Sequence, residues 1–415
     1  MSSRLLNEIK SIKAIDNHTH IAMSLPNISY DFVDHVSKIT DYLLEKPQTP
    51  GVEEPLINNE YNLLFKAIQA LYGYNKNNVT EDTRQELLSH ILDSREQGYG
   101  NAYSKALDTA GIDIALTNSY YLQEKLDRKR FKLVPWVDQY LYPIKESNVQ
   151  VYQMQHNLER WLDTAFKIYG KPETFDDYVN LVHKELRRYI DDGAVAVKIW
   201  SAFFRSLHFE NIEESVAKGL YTDYINGRHV DEVGYKQLQD YLAHLIFSMC
   251  MEHGIPVQVH TGFGDSTKII TLRGSSPLNL ENIAKVYDDL RLVLVHGGYP
   301  FCSEAGALAM MNDKVYLDYS YIGRLVSVPM LSRILSDWIG CKLEDRLLFG
   351  TDTVKLPWAT DDLHCVYVAW KTRKAVEESL SVLVDRNVLD VDEAIIVASK
   401  ILKSNAANLY GFGDS

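Results

Sequence analysis

The feature that most constrains the fold of this chain is an alternation of short apolar runs with longer helical patterns. The runs are rich in β-branched residues and almost continuously apolar, which is typical of strands buried on both faces of a parallel sheet. They cover 13–17, 111–118, 131–138, 194–200, 255–261, 290–297, 315–321 and 345–351. Eight strands separated by helices predict an α/β fold, and a (β/α)8 TIM-like barrel more readily than an open sheet.

One long connection interrupts this alternation. The segment 21–110, between the first and second predicted strands, is too long for an ordinary loop. It contains helical patterns at 59–71 and 81–92 and a link punctuated by proline and glycine at 46–55. We therefore predict a distorted barrel that forms one domain over 1–415, with 21–110 as a helical insertion that caps its active-site face.

Composition and charge exclude several classes of protein. Hydrophobic residues make up 46% of the 415 residues, which excludes a disordered chain. The formal net charge of −13 repels phosphate backbones, so nucleic acid is not an expected partner. No stretch approaches the roughly 18 consecutive apolar residues of a membrane span. The N-terminus has no secretory pattern and the four cysteines have no C-x-x-C spacing, so we expect a cytoplasmic protein with free thiols.

Polar residues of metal-binding types stand at the carboxyl ends of five predicted strands. In an α/β barrel those ends converge on one mouth, where active sites lie. The first strand ends in an H-x-H pair, whose side chains point to the same face. The set comprises His18, His20, Lys198, His260, His296 and Asp352.

Each of these residues alone is a weak signal, because a lone histidine is more often a hydrogen-bonded core residue and an aspartate can cap a helix. Their ordered occurrence at the ends of different strands favours a shared metal site over separate structural roles. Imidazole nitrogens and a carboxylate suit Zn²⁺, Mn²⁺ or Fe²⁺ rather than Ca²⁺. The sequence therefore predicts a site for one or two divalent metal ions, with zinc first and manganese or iron as alternatives.

The order H-x-H, Lys, His, His, Asp on strands one, four, five, six and eight resembles the amidohydrolase superfamily. The strings VQVHTGFGD, LVLVHGGYP and FGTDT resemble its amidohydrolase-2 branch. They are similar to the barrel domain that some fungal and plant proteins carry fused to a glutamine-synthetase-like domain, and we expect this chain to be such a barrel alone. The insertion over 21–110 is similar to that of uronate isomerases. His296 favours the first resemblance, because uronate isomerases lack the strand-six histidine.

The resemblance implies a role for each residue. His18, His20 and Asp352 would hold a divalent ion, and His260 would be a further ligand or a bridge to a second ion. Asp352 would take a proton from the attacking water and deliver it to the leaving group. His296 would bind a second metal ion or polarise the substrate carbonyl.

Two roles are open for Lys198. In binuclear relatives a lysine at this place is carboxylated and bridges two ions. A charged ammonium has no lone pair for a metal, so the alternative is a lysine paired with Asp352 or with a substrate carboxylate.

Further residues of the predicted mouth are candidates for substrate binding. Arg205 and Arg273 follow strands four and five and could clamp a substrate carboxylate, or could form surface salt bridges. Four aromatic residues near strand ends are either pocket walls or simple packing. They are Trp200, Tyr299, Tyr321 and Trp358.

The function that follows is a metal-dependent hydrolase for a small carboxylate-bearing substrate with an amide or lactone-type ester bond. One alternative is a metal-dependent decarboxylase or a uronate-isomerase-like enzyme. Another is a barrel without catalysis that binds or scaffolds a partner. By resemblance, such barrels are commonly homo-oligomers, and the sequence itself leaves the oligomeric state open.

Overall fold

The structure is a computed structural model that describes residues 3–23, 31–45, 58–96, 98–144, 153–264, 269–356 and 358–413. Within these residues eight strands alternate with helices. The strands are β1 (Ala14–Thr19), β2 (Ile112–Asn118), β3 (Phe131–Val134), β4 (Val197–Ile199), β5 (Val257–His260), β6 (Leu292–Val295), β7 (Val315–Asp318) and β8 (Leu347–Leu348).

The helices of the amino-terminal half include four that fall inside the 21–110 segment. They are α1 (Ser3–Ser11), α2 (Phe32–Glu45), α3 (Asn58–Tyr72), α4 (Arg84–Glu96), α5 (Tyr99–Ala110), α6 (Gln153–Tyr169), α7 (Phe175–Asp191), α8 (Glu214–Ile225) and α9 (Glu232–Glu252). The remaining helices are α10 (Leu272–Ser275), α11 (Glu281–Val286), α12 (Cys302–Met311), α13 (Ser320–Leu325), α14 (Val328–Gly340), α15 (Asp361–Asp385), α16 (Val391–Ser399) and α17 (Asn405–Tyr410).

Seven of the eight predicted strands contain a shorter observed strand, whereas β1 extends beyond the predicted 13–17 to Thr19. The run 194–200, for example, pairs as β4 over only Val197–Ile199. An apolar run reports burial, whereas a strand requires ladder hydrogen bonds, so buried residues beyond the ladder were wrongly included.

The strands form a sheet of order β1-β2-β3 and a sheet of order β4-β5-β6-β7-β8. The pairs β1–β2, β4–β5 and β7–β8 are parallel. Beyond the end of β3, the N–H of Lys198 donates to the carbonyl of Pro135 over 2.8 Å, which pairs β4 with that segment. Parallel strands alternating with helices confirm the predicted α/β fold class of (β/α)8 type.

Two compact units are distinguished in the chain. Unit 1 comprises Met1–Leu133, Val295–Gly297 and Leu317–Ser415, and unit 2 comprises Val134–Leu294 and Gly298–Tyr316. The single domain over 1–415 stays a prediction.

In unit 1, helices of the predicted insertion bind the amino-terminal end of α15. Tyr72 donates a hydrogen bond to Asp362 (3.1 Å), and Tyr103 donates one to Asp361 (2.7 Å). Arg95 pairs with Asp362 at 3.2 Å. These buried polar contacts fix α3, α4 and α5 on the helix that follows β8. The predicted link over 46–55 lies outside the described residues, and the capping of the active-site face stays a prediction.

Helix boundaries follow local capping chemistry. α7 begins after Thr174, whose side chain accepts a hydrogen bond from the N–H of Asp177, while Asp177 accepts one from Thr174 in return. The chain reverses after α9 at Gly254, whose φ of 62° favours glycine. Among the described residues, no helix is both long enough and apolar enough to cross a bilayer.

Candidate metal centre

Backbone hydrogen bonds in unit 1 bring the H-x-H pair next to the F-G-T-D-T segment. The N–H of Asp352 donates to the carbonyl of His18 over 2.8 Å, and the N–H of His20 donates to the carbonyl of Thr353 over 2.9 Å. The segment after β8 thus runs alongside β1. This pairing carries the carboxylate of Asp352 to the histidines, although more than 330 residues separate them in sequence.

The small and polar residues of these two motifs are needed for that approach. Asp16 accepts hydrogen bonds from the N–H (2.9 Å) and the hydroxyl (2.6 Å) of Thr351. A Cβ on Gly350 would lie 2.5 Å from the Asp318 carboxylate, so only glycine fits there. The residues that flank the candidate ligands in these two motifs therefore hold the ligands in position.

The side chains of four predicted ligands meet in unit 1. The Asp352 Oδ1 atom lies 3.2 Å from Nε2 of His18 and 3.5 Å from Nε2 of His20. The rings of His18 and His296 lie 5.2 Å apart, and ligand atoms of His18, His296 and Asp352 all fall within 4.8 Å of one another. The structure thus brings four of the six predicted ligands close together, and their role as ligands stays a prediction.

These distances fit a shared cation. Ligand atoms about 2.1 Å from a tetrahedrally held ion lie about 3.4 Å from one another, close to the two distances from Asp352 to the histidines. His18, His296 and Asp352 are buried, and buried carboxylates are retained where they are paired or bind metal. The donor set of imidazole nitrogens and one carboxylate matches Zn²⁺, Mn²⁺ or Fe²⁺.

The backbone is unusual at two of the ligands. His296 has a φ of 70° and Asp352 a φ of 47°, both in the left-handed region that non-glycine residues rarely adopt. At Gly297, the residue after His296, a Cβ would lie 2.6 Å from the ring of Trp338. Such conformations concentrate at functional sites, where the surrounding fold imposes them.

The electrostatics keep Asp352 ionised. Burial alone would raise the pKa of Asp352, but the charge of His296, hydrogen bonds from His18 and His20, and the nearby Arg324 together hold it well below the ordinary range. An ionised carboxylate is the form that binds a cation and that can accept a proton.

Asp318, at the end of β7, organises the ring of His296 and was not predicted. Its carboxylate accepts hydrogen bonds from the N–H of His296 (3.2 Å), the N–H of Ser320 (3.0 Å) and the amide of Asn17 (2.9 Å). The Ser320 hydroxyl bonds Asp318 and lies 3.0 Å from Nδ1 of His296. Asp318 follows the same rule as the predicted ligands, a polar residue at a strand end, and this signal was available.

Arg324, in α13, is a second residue that sequence reasoning missed. Its guanidinium lies over the ring of Tyr321, with 4.4 Å from Cζ to the ring centre, and Nη1 is 4.0 Å from Asp352. Tyr321 itself packs on His296, with ring centres 5.3 Å apart. Of the four predicted wall residues, Tyr321 thus lies at the cluster, while Trp358 is buried against His364.

In unit 2, Lys198 and Trp200 surround a buried aspartate. Burial raises the pKa of Asp138 to about 7, against hydrogen bonds from Ser201 and the N–H of Trp200 and against the charge of Lys198. The Ser201 hydroxyl donates to Asp138 over 2.6 Å. Asp138 ends the predicted third strand, and no role was assigned to it.

The other predicted residues of unit 2 have separate surroundings. His260 packs against Phe203, with ring centres 4.7 Å apart. Arg205 pairs with Asp240, which is the salt-bridge alternative, although the pair is buried rather than on the surface. Arg273 is exposed in the short α10 and Tyr299 is half-buried.

A family model described as amidohydrolase matches residues 160–412, more than half of the chain. Among curated proteins, protein fluG of Emericella nidulans is 31% identical over 158 residues, which are 37% of this chain and only 17% of fluG.

Several solved structures share the fold over almost the whole chain. A putative metal-dependent hydrolase from Lactobacillus casei has a TM-score of 0.67 at 17% identity, covering 98% of this chain and 97% of its own. A uronate isomerase from Thermotoga maritima has a TM-score of 0.70 at 14% identity, and the match covers 98% of this chain and 96% of the isomerase. A glucuronate isomerase from Caulobacter crescentus has a TM-score of 0.71 at 12% identity, and the match covers 99% of this chain and 94% of the isomerase. At these identities the likeness shows the fold alone.

Proposed function

The chain belongs to the amidohydrolase family, and from this premise we propose that it is a metal-dependent hydrolase for a small carboxylate-bearing substrate, cleaved at an amide or lactone-type ester bond. The observation that carries the proposal is the buried cluster of His18, His296 and Asp352, with His20 beside it. Zinc is the proposed metal, and manganese and iron are the alternatives.

The residues of unit 1 divide the work. His18, His20 and Asp352 would hold the cation, which when bound supplies Lewis-acid chemistry that makes water acidic enough to attack near neutral pH. The Asp352 carboxylate, ionised in these surroundings, would accept the proton of that water at an oxygen atom and return it to the leaving group. His296, held through Ser320, would either orient the substrate carbonyl or bind a second ion.

The proposal of a second metal ion depends on Lys198 and His260. A carboxylated Lys198 or a bridging His260 would raise the metal count from one to two. Elemental mass spectrometry of protein purified without chelator or histidine tag measures that count directly. We expect one or two ions per chain. A protein with no metal, and none taken up from added Zn²⁺ or Mn²⁺, would contradict the proposal and would favour a non-catalytic barrel.

Product analysis separates hydrolysis from the related reactions. A panel of small carboxylates with amide, lactone and sugar-acid groups is incubated with the metal-loaded protein. Hydrolysis adds the mass of water and gives an acid with an amine or alcohol. A decarboxylase would release carbon dioxide, and an isomerase would leave the mass unchanged. His18→Ala is expected to abolish the observed turnover, while the exposed His253→Ala leaves it unchanged.

A further inference from the structure

Arg324 is a buried arginine beside the candidate metal centre. It belongs to α13, the short helix that follows β7, and only 7% of its side chain is exposed. Its Nη1 atom is 4.0 Å from the Asp352 carboxylate, beyond hydrogen-bond distance. The guanidinium therefore forms a long ion pair with the carboxylate of the cluster but no hydrogen bond to it.

The hydrogen bonding of Arg324 leaves a donor available. Nη1 is buried and donates no hydrogen bond to any residue in the described part of the chain. A buried charged donor without an acceptor is costly and therefore calls for an explanation. The stacking of the guanidinium on Tyr321 fixes its plane but offers no acceptor for Nη1.

The anion beside Arg324 is Asp352, and this carboxylate is engaged by other groups as well. Asp352 is already hydrogen-bonded to His18 and His20, and in the proposed function its charge serves the cation. Lys371 approaches from α15 and donates to the backbone carbonyl of Arg324 over 3.2 Å, while its own charge is paired with Glu60 at 2.8 Å. The near His364 is kept neutral, because burial and the charge of Arg324 lower its pKa to about 3.

The two arginines predicted from sequence, Arg205 and Arg273, are less suited to bind a substrate carboxylate. Arg205 donates to the Gln239 side chain (3.1 Å) and to the carbonyls of Ser206 (3.0 Å) and His208 (3.1 Å), and it pairs with Asp240. Arg273 is exposed to solvent, where an ionic contact is screened.

We infer that Arg324 binds the carboxylate of the substrate and so determines specificity at the metal centre. The guanidinium fork matches a carboxylate, and a group bound by Nη1 lies next to the atoms of Asp352. The assignment rests on the proposed function for the reacting bond, but carboxylate binding itself can be measured without turnover.

The test compares matched ligands that differ only in the carboxylate. N-acetylglycine and N-acetylglycinamide, and a second pair of N-acetyl-β-alanine and its primary amide, are titrated into the metal-loaded protein by calorimetry. We expect the wild type to prefer the carboxylate of each pair by about 10- to 100-fold, the effect of one charge-assisted contact. Arg324→Gln should abolish that preference, and Arg324→Lys should keep only part of it because the fork is lost.

Two arginine variants serve as controls. Arg333→Gln changes an exposed arginine of α14 and is expected to keep the preference. Arg273→Gln tests the rival from the sequence, and a preference that disappears there but survives in Arg324→Gln overturns the inference. So does a wild type that binds both members of each pair equally.

Metal content and melting temperature separate substrate binding from a structural role. A purely structural Arg324 would lower both in Arg324→Gln and weaken the carboxylate and the amide equally, and that result overturns the inference. The proposed function fails in a different way, when no amide or lactone is hydrolysed. A carboxylate preference that depends on Arg324 would survive such a failure.

Discussion

Arg205 and Arg324 occupy equivalent places in the sequence, yet the two regions around them differ in kind. Each arginine lies six residues after the last residue of a strand, β4 or β7. Their side chains are 8% and 7% exposed, and each lies over an aromatic ring, that of Phe209 at 4.8 Å and that of Tyr321 at 4.4 Å. Arg205 donates hydrogen bonds from all three of its nitrogens, whereas Nη1 of Arg324 donates none among the described residues.

The difference distinguishes a buried charge that the protein itself neutralises from a buried cluster that is suited to bind a ligand. Around Arg205, the charge of Asp240 is compensated by the guanidinium and by Lys236, and the region needs nothing further. In the metal centre, two histidines point at one carboxylate that is held ionised. We therefore regard the Arg205 region as structural and the metal centre as a site for ligands.

Replacing the carboxylate of the metal centre should have the largest effect. Asp352→Asn keeps the shape of the side chain and removes its charge. We expect metal affinity to fall by more than about 100-fold, because losing an outer partner of a ligand alone typically costs 10–100-fold. Elemental mass spectrometry after dialysis against a metal buffer measures the loss.

The matched control is Asp345→Asn, which makes the same exchange at an exposed residue paired with Lys400. It should retain the wild-type metal content. Equal metal content in Asp352→Asn and the wild type would show that the carboxylate is not a ligand, and the comparison between the two regions would lose its basis.

Breaking the Arg205 region should instead reduce stability. Asp240→Asn leaves a buried guanidinium without its anion, which typically costs about 3–5 kcal/mol. Chemical denaturation should show this loss, while the metal content per chain stays unchanged. Asp176→Asn, at an exposed pair with Lys218, should cost less than about 1 kcal/mol. A loss of metal in Asp240→Asn without a loss of stability would reverse the assignment of the two regions.

The strand positions and the identities of the clustered residues could be predicted because both follow local rules. Apolar runs mark buried strands, and polar residues at their ends mark a site. The same rule applied to β7 would have found Asp318, which bonds the backbone of His296. It was passed over because an aspartate between apolar and aromatic residues has no motif of its own.

The roles of the arginines could not be predicted from local sequence. Whether Arg205 is satisfied depends on Gln239 and Asp240, which lie 34 and 35 positions further along the chain. Arg324 meets Asp352 because the strands that precede them, β7 and β8, pair with each other. Sequence reasoning therefore proposed Arg205 and Arg273, whereas the fold places Arg324 beside Asp352.

A smaller effect is expected when the support of a ligand is removed. Ser320→Ala deletes the hydroxyl that connects Asp318 with the ring of His296. Ligand support of this kind is worth about 10–100-fold in metal affinity or activity. Ser332→Ala, an equal exchange at another buried serine, should leave both unchanged. If the two variants behave alike, the hydroxyl of Ser320 only fills space.

The smallest effect is expected at the rim of the Arg205 region. Lys236 pairs with Asp240 at 2.5 Å, but 37% of its side chain is exposed. Because water screens such a pair, Lys236→Met should change the free energy of unfolding by less than about 1 kcal/mol. Denaturation midpoints at low and high salt measure it, and the difference from wild type should shrink at high salt. A loss as large as that of Asp240→Asn would mean that the lysine, rather than the buried Arg205, neutralises the carboxylate.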